Sequence, residues 1–172
     1  MALVKPLIFQ IVGYKNSGKT TVMSKLINRL KADHLNVVAI KHHGHGGKPK
    51  APENKDSTNH LQSGALASIV EGDGGLLLQA EKTIWTLEEK IQLAAFFKPD
   101  VILIEGNKNE QYPKLVLLRG KEDLELLQLH NVQIIMYWEE IPKEDSLKKI
   151  PSLYLNDTNA IDWTKDYLKK QL

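Results

Sequence analysis

The chain of 172 residues has no cysteine. That excludes disulfides, thiolate metal sites and a cysteine nucleophile, and it fits a reducing cytosol. Arginine is nearly missing, because all but two of the 23 basic residues are lysines and only Arg29 and Arg119 carry guanidinium groups. Planar bidentate clamps on phosphate are therefore scarce, and Arg29 falls in a helical pattern where burial is expected. No run approaches the roughly 20 apolar residues of a membrane span, and Met1 to Pro6 leads straight toward a strand without a signal-peptide layout. A net charge of +2 shows no basic excess of the kind that binds nucleic acid. Repeats and low-complexity tracts are absent as well. What remains is ordinary globular composition, 42% hydrophobic and 26% charged, of one domain's length. The expectation is a single folding unit over residues 1–172, without membrane or nucleic-acid partner, in the cytoplasm.

Apolar runs bounded by turn residues alternate with helical periodicities, which predicts an α/β fold: a mostly parallel twisted sheet flanked by helices. Leu7 to Val12 reads as the first strand, Thr20 to Ala32 as a helix, and Val37 to Ile40 as a second strand. His42 to Lys55 has no periodicity and reads as a functional loop. A short helix capped by Asp56 or Ser57 runs to about Ala67, and Asp73-Gly74 turns a hairpin between Ser68–Glu71 and Leu76–Leu78. Thr86-Leu87-Glu88-Glu89 is a capping box for a helix that Pro99 ends. Strands follow at Val101–Ile104, Leu115–Leu118, Val132–Tyr137 and Ser152–Leu155, before a C-terminal helix.

The strongest chemical signal is Gly13-Tyr14-Lys15-Asn16-Ser17-Gly18-Lys19-Thr20, a G-x-x-x-x-G-K-[ST] phosphate-binding loop between a strand and a helix. The glycines let main-chain N–H groups converge on phosphate oxygens, backed by the positive end of the following helix. Lys19 is expected to reach the β- and γ-phosphates and Thr20 to hold Mg²⁺, with Thr21 closing the loop. Val101-Ile102-Leu103-Ile104-Glu105 adds four aliphatics and an acid, a buried strand delivering a carboxylate to the metal, with a charged strand end as the bland reading. Asn107-Lys108-Asn109-Glu110 resembles a guanine-reading N-K-x-D element. The end of one strand, however, cannot readily serve both the metal and a base that lies a nucleotide's length away. His42, His43 and His45, with Lys41, Lys48, Lys50, Lys55, Asp56 and His60, allow three readings. They form a transition-metal cluster, an anion-responsive loop in which Lys41 and His42 face phosphates and Asp56 touches the Mg²⁺ shell, or a solvated loop.

Four blocks taken together are more specific than the loop alone. Ile11 to Thr21, Ile40 to His45, Lys55 to Ala65, and Ile104 to Lys108 leading to Pro113-Lys114 occur in order. In these blocks the chain resembles the molybdopterin-guanine dinucleotide biosynthesis protein B (MobB) family. The resemblance implies a P-loop NTPase fold and a dimeric protein that binds GTP and hydrolyses it weakly. It implies a partner too, the molybdenum cofactor guanylyltransferase that joins GMP to molybdopterin, with molybdopterin itself as a further ligand. Lys19 and Glu105 are the catalytic candidates, and Thr20, Glu105 and Asp56 the metal candidates. Two departures stand out. Asn107 replaces an aromatic common in the family, and Tyr14 stands where related dimeric ATPases carry an extra lysine, with Lys15 one step later. A metal-delivery GTPase using the histidines and a small-molecule P-loop kinase are the alternatives.

Overall fold

The computed structural model describes residues 5–42, 56–139 and 150–172, with the side chains of 56–58 left aside. Where the sequence predicts one folding unit, the backbone gathers into two compact units, Met1–His42 with Leu87–Leu172, and His43–Thr86.

The larger unit is built on a six-stranded parallel sheet. Its strands are β1 (Leu7–Gly13), β2 (Val37–Lys41), β5 (Val101–Glu105), β6 (Lys114–Leu118), β7 (Val132–Tyr137) and β8 (Ser152–Tyr154), in the spatial order β2-β5-β1-β6-β7-β8. β1 sits between β5 and β6, and both central neighbours read as continuous apolar runs because both of their faces are covered. Helices α1 (Lys19–Ala32) and α4 (Ala160–Lys169) pack on one face, over Phe9, Ile11, Leu103, Leu117 and Met136. Helix α3 (Leu87–Ala95) covers Ile40, Ile102 and Ile104 on the other face, beside a 3-10 helix (Lys121–Gln128) over Val12, Val116 and Leu118. Sequence periodicity does not reveal that 3-10 segment.

Side chains alternate between faces along a strand. In β5, Val101 and Leu103 join the core under α1, so Glu105 shares that face. The same parity puts Lys41 of β2 and Gly13 of β1 on the α1 side, at the carboxyl ends of their strands.

The smaller unit holds α2 (Asp56–Gln62) and the antiparallel hairpin β3 (Ala67–Gly72) and β4 (Gly75–Ala80). Its turn is the one the sequence predicts, with φ of +48° at Asp73 and +76° at Gly74. Helix α2 ends earlier than Ala67, because Gly64 takes φ +103° and Ala65 N–H returns to His60 O, so the chain leaves the helix there.

Candidate functional site

The loop from Gly13 to Thr20 joins β1 to α1 and is shaped by contacts that only small residues permit. A methyl group on Gly13 would lie 2.5 Å from Ser17 Oγ and 2.9 Å from the main-chain oxygen of Leu117. Asn16 and Gly18 adopt φ of +62° and +91°, the left-handed region that Gly and Asn tolerate. Gly18 is the N-cap of α1 without a side-chain cap, and no acid occupies the first helical turn. The positive helix end therefore faces the loop without compensation from its own side chains. Ser17 is fully buried, and its Oγ has no hydrogen-bond partner.

Lys19 reaches back across this loop, its Nζ donating to Tyr14 O at 2.7 Å. Burial holds the Lys19 ammonium below the ordinary lysine value; the Glu105 carboxylate opposes that, while Lys41 and Arg119 add to it. Bound anionic oxygens would oppose that shift. Thr20 Oγ1 lies 3.1 and 3.0 Å from the two oxygens of Glu105, which is only 7% exposed. Lys41, the β2 register partner of Glu105, places Nζ 3.1 Å from the same carboxylate and 3.3 Å from Thr20 Oγ1. A hydroxyl and a buried carboxylate converging at the helix start make a hard-oxygen donor pair, which fits Mg²⁺ and its retained waters.

Gln10 braces the strand ends from the opposite face. Its Nε2 donates to Gly106 O at 3.1 Å and Asn107 O at 2.7 Å. Asn107 takes φ +52°, and Glu110 N–H closes a turn onto Asn107 O at 3.1 Å. Fully buried Lys114 fastens that turn through Nζ to Glu110 O at 2.7 Å and His130 O at 2.5 Å. Asn107 to Glu110 thus form a turn directly after the Glu105 strand.

Of the other predicted residues, Lys15 and Thr21 are exposed on the loop and first helical turn. His42 N–H donates to Glu105 O at 3.1 Å, so its backbone helps seat the carboxylate strand. Asp56 heads α2 in the smaller unit. Its side chain lies outside the described residues, as do His43, His45, Lys48, Lys50 and Lys55. Among the described residues no three His, Cys, Asp or Glu side chains gather as a metal cluster. Arg29 requires a correction. Its side chain is 57% exposed and pairs with Asp162 at 3.0 Å, because position 29 falls on the flank of α1, where it meets α4 rather than the sheet.

Two residues beside the loop, Arg119 and Trp138, were not among the candidate site residues. Arg119 is held by fully buried Asp123 through Nε at 2.8 Å, Nη2 at 2.6 Å and its own N–H at 2.9 Å. These bonds hold the Asp123 carboxyl below the usual carboxylate range. Tyr14 lies between the cations of Arg119 and Lys108, 5.8 and 4.9 Å from its ring, and its hydroxyl donates to Glu125. Trp138 donates Nε1–H to Ser17 O at 2.9 Å. The available signal was an arginine and a tryptophan each placed directly after a buried strand.

A family model described as molybdopterin guanine dinucleotide synthesis protein B matches residues 8–138. The chain is 39% identical over 171 residues to the probable molybdopterin-guanine dinucleotide biosynthesis adapter protein of Bacillus subtilis (strain 168), covering 98% of each. Among solved structures, Bacillus subtilis MobB matches at 37% identity with a TM-score of 0.81, over 96% of this chain and 98% of that one. The MobB homologue of Bacillus stearothermophilus matches at 32% and 0.77, over 95% and 98%. Sequence and fold agree along nearly the whole length, and the chain belongs to the MobB family.

Proposed function

We propose that this protein binds GTP with Mg²⁺ at Gly13–Thr21 and acts in the cytoplasm as an adapter for the guanylyltransferase that attaches GMP to molybdopterin. The observation that carries the binding reading is the convergence of Lys19, Thr20 and Glu105 at the uncompensated amino end of α1. Loop N–H groups and Lys19 would grip the phosphates. Thr20 and Glu105 would hold the metal, which neutralises charge between the β- and γ-phosphates when bound. Turnover is expected to be slow. Arg29 is engaged with Asp162 and Arg119 with Asp123, so both guanidinium groups already have carboxylate partners. The adapter role rests on the relatives, which are molybdopterin-guanine dinucleotide biosynthesis adapter proteins by name.

A homodimer is part of the proposal. The hairpin leaves Ile69 at 64% and Leu76 at 61% exposure, with Val70, Leu77 and Leu78 also exposed. A lone two-stranded hairpin is marginal in water, and the exposed apolar side chains of Ile69, Leu76 and Leu78, which share one face, favour a partner surface. Among the described residues no helix is long and apolar enough to cross a membrane. Calorimetry with GTP and Mg²⁺ tests the nucleotide reading. Lys19→Ala is expected to weaken GTP by about a hundredfold, close to 2.7 kcal/mol, with unchanged far-ultraviolet dichroism. Equal affinity in the variant overturns it.

A further inference from the structure

We infer that Trp138 is the platform on which the nucleobase of the bound triphosphate stacks, with its ring plane set by the hydrogen bond to the phosphate loop. The inference rests on the nucleotide reading above and adds a direction to it. In the sheet order β2-β5-β1-β6-β7-β8, the metal-side carboxylate Glu105 lies on β5, one strand to one side of the loop strand β1. A metal held by Thr20 and Glu105 would draw the outer end of the triphosphate toward β5. The nucleoside end must then leave on the opposite side, over β6 and β7. Trp138 stands there, two strands from β1, which at about 4.8 Å per strand is roughly 10 Å away. That is the reach of a nucleotide from its middle phosphate to its base. Its place beside Gly18, the N-cap of α1, and Leu155, which packs on the core beneath α1, puts the indole on the α1 face, the same side of the sheet as Glu105.

The ring is held as a stacking surface must be. Nε1–H is bonded to Ser17 O at 2.9 Å, and Trp138 N–H bonds Leu118 O at 3.0 Å. Cζ2 lies 3.1 Å from where a Gly18 Cβ would sit, and Leu155 Cδ2 approaches that same position to 3.7 Å. The indole's polar edge is thereby satisfied, yet 39% of the residue remains exposed. A large apolar ring with its donor already used, fixed beside a phosphate loop and partly open to solvent, suits a flat heteroaromatic ring and not a further anion.

Calorimetry compares GTP with inorganic tripolyphosphate, which has the phosphates and no base. In Trp138→Ala, GTP affinity is expected to fall roughly ten- to hundredfold while tripolyphosphate stays within about threefold, and Trp138→Phe should restore most of the GTP affinity. An equal fall for both ligands reduces Trp138 to a loop support and overturns the inference, as does no fall in either. Should Trp138→Ala not fold, a protein carrying Trp85→Phe and Trp163→Phe leaves Trp138 as the sole indole. Its fluorescence is expected to be quenched by GTP and not by tripolyphosphate; equal response or none overturns the inference. Failure of the unaltered protein to bind GTP overturns the nucleotide reading itself, whereas the outcomes above strike the stacking role alone.

Discussion

Gly13→Ala is the most direct test of how the loop is packed. Gly13 is not in the left-handed region, so alanine meets no backbone strain, and the cost is one of space. The new methyl group would lie 2.5 Å from Ser17 Oγ, 2.9 Å from Leu117 O and 3.1 Å from Leu117 Cβ. Ser17 is buried, but its hydroxyl has no partner and could rotate away at little cost. Leu117 cannot yield so easily. It is the register partner of Gly13 in the β1–β6 ladder, fully buried among the residues beneath α1. Relief therefore requires parting two central strands or displacing the loop, and overpacking of this kind costs about 1–3 kcal/mol. Because a main-chain atom is involved, the upper half, about 2–3 kcal/mol, is the expected range. For a chain of this size that lowers Tm by roughly 5–10 °C. Thermal unfolding followed by circular dichroism, without nucleotide, measures it. GTP affinity should fall by more than about tenfold in the same variant, since the loop N–H groups are displaced from their convergence. A melting temperature within about 1 °C of the unaltered protein, with intact GTP binding, refutes the packing argument.

Glu105→Gln keeps shape but removes the charge beside Thr20, so the Mg²⁺-dependent gain in GTP affinity should drop by about tenfold in titrations with and without chelator; a full gain counts against Glu105 as metal-side carboxylate. Asp123→Asn addresses pH dependence. Because Arg119 holds the folded-state pKa of Asp123 below its unfolded value, that carboxylate's stabilisation is complete above about pH 4 and is lost as pH falls through the lower folded value. Urea midpoints at pH 6, 4 and 3 should therefore fall more steeply in the unaltered protein than in Asp123→Asn, and parallel curves contradict the assignment. Ile69→Lys with Leu78→Lys charges one face of the exposed hairpin and should convert a dimer to a monomer in sedimentation; an unchanged mass removes that face as the interface.

The phosphate loop was legible because its chemistry is local. Eight consecutive residues carry the turn glycines, the lysine and the hydroxyl, and the strand before and helix after are written in apolar periodicity. The same holds for β5, whose aliphatic run ends on Glu105, and for the Asp73-Gly74 hairpin turn. Gln10 and Lys114 were visible as polar residues beside or within apolar runs, but nothing in the sequence said what they held. Gln10 Nε2 reaches an acceptor 97 positions away.

The sequence by itself determined which segments are strands, which are α-helices, and where the phosphate-binding loop lies, since turn chemistry, caps and side-chain period act over a few residues. Only the tertiary structure decided what surrounds the grip. The order β2-β5-β1-β6-β7-β8 follows from burying both faces of β1, β5 and β6 under helices, and no local pattern encodes it. That order carries Lys41, Glu105, Arg119 and Trp138 to the carboxyl edge of the sheet, and it brings an indole against a loop carbonyl 121 residues earlier in the chain. Packing free energy, summed over the whole core, selects such long-range neighbours, whereas sequence pattern reports only the short-range preferences that packing must satisfy.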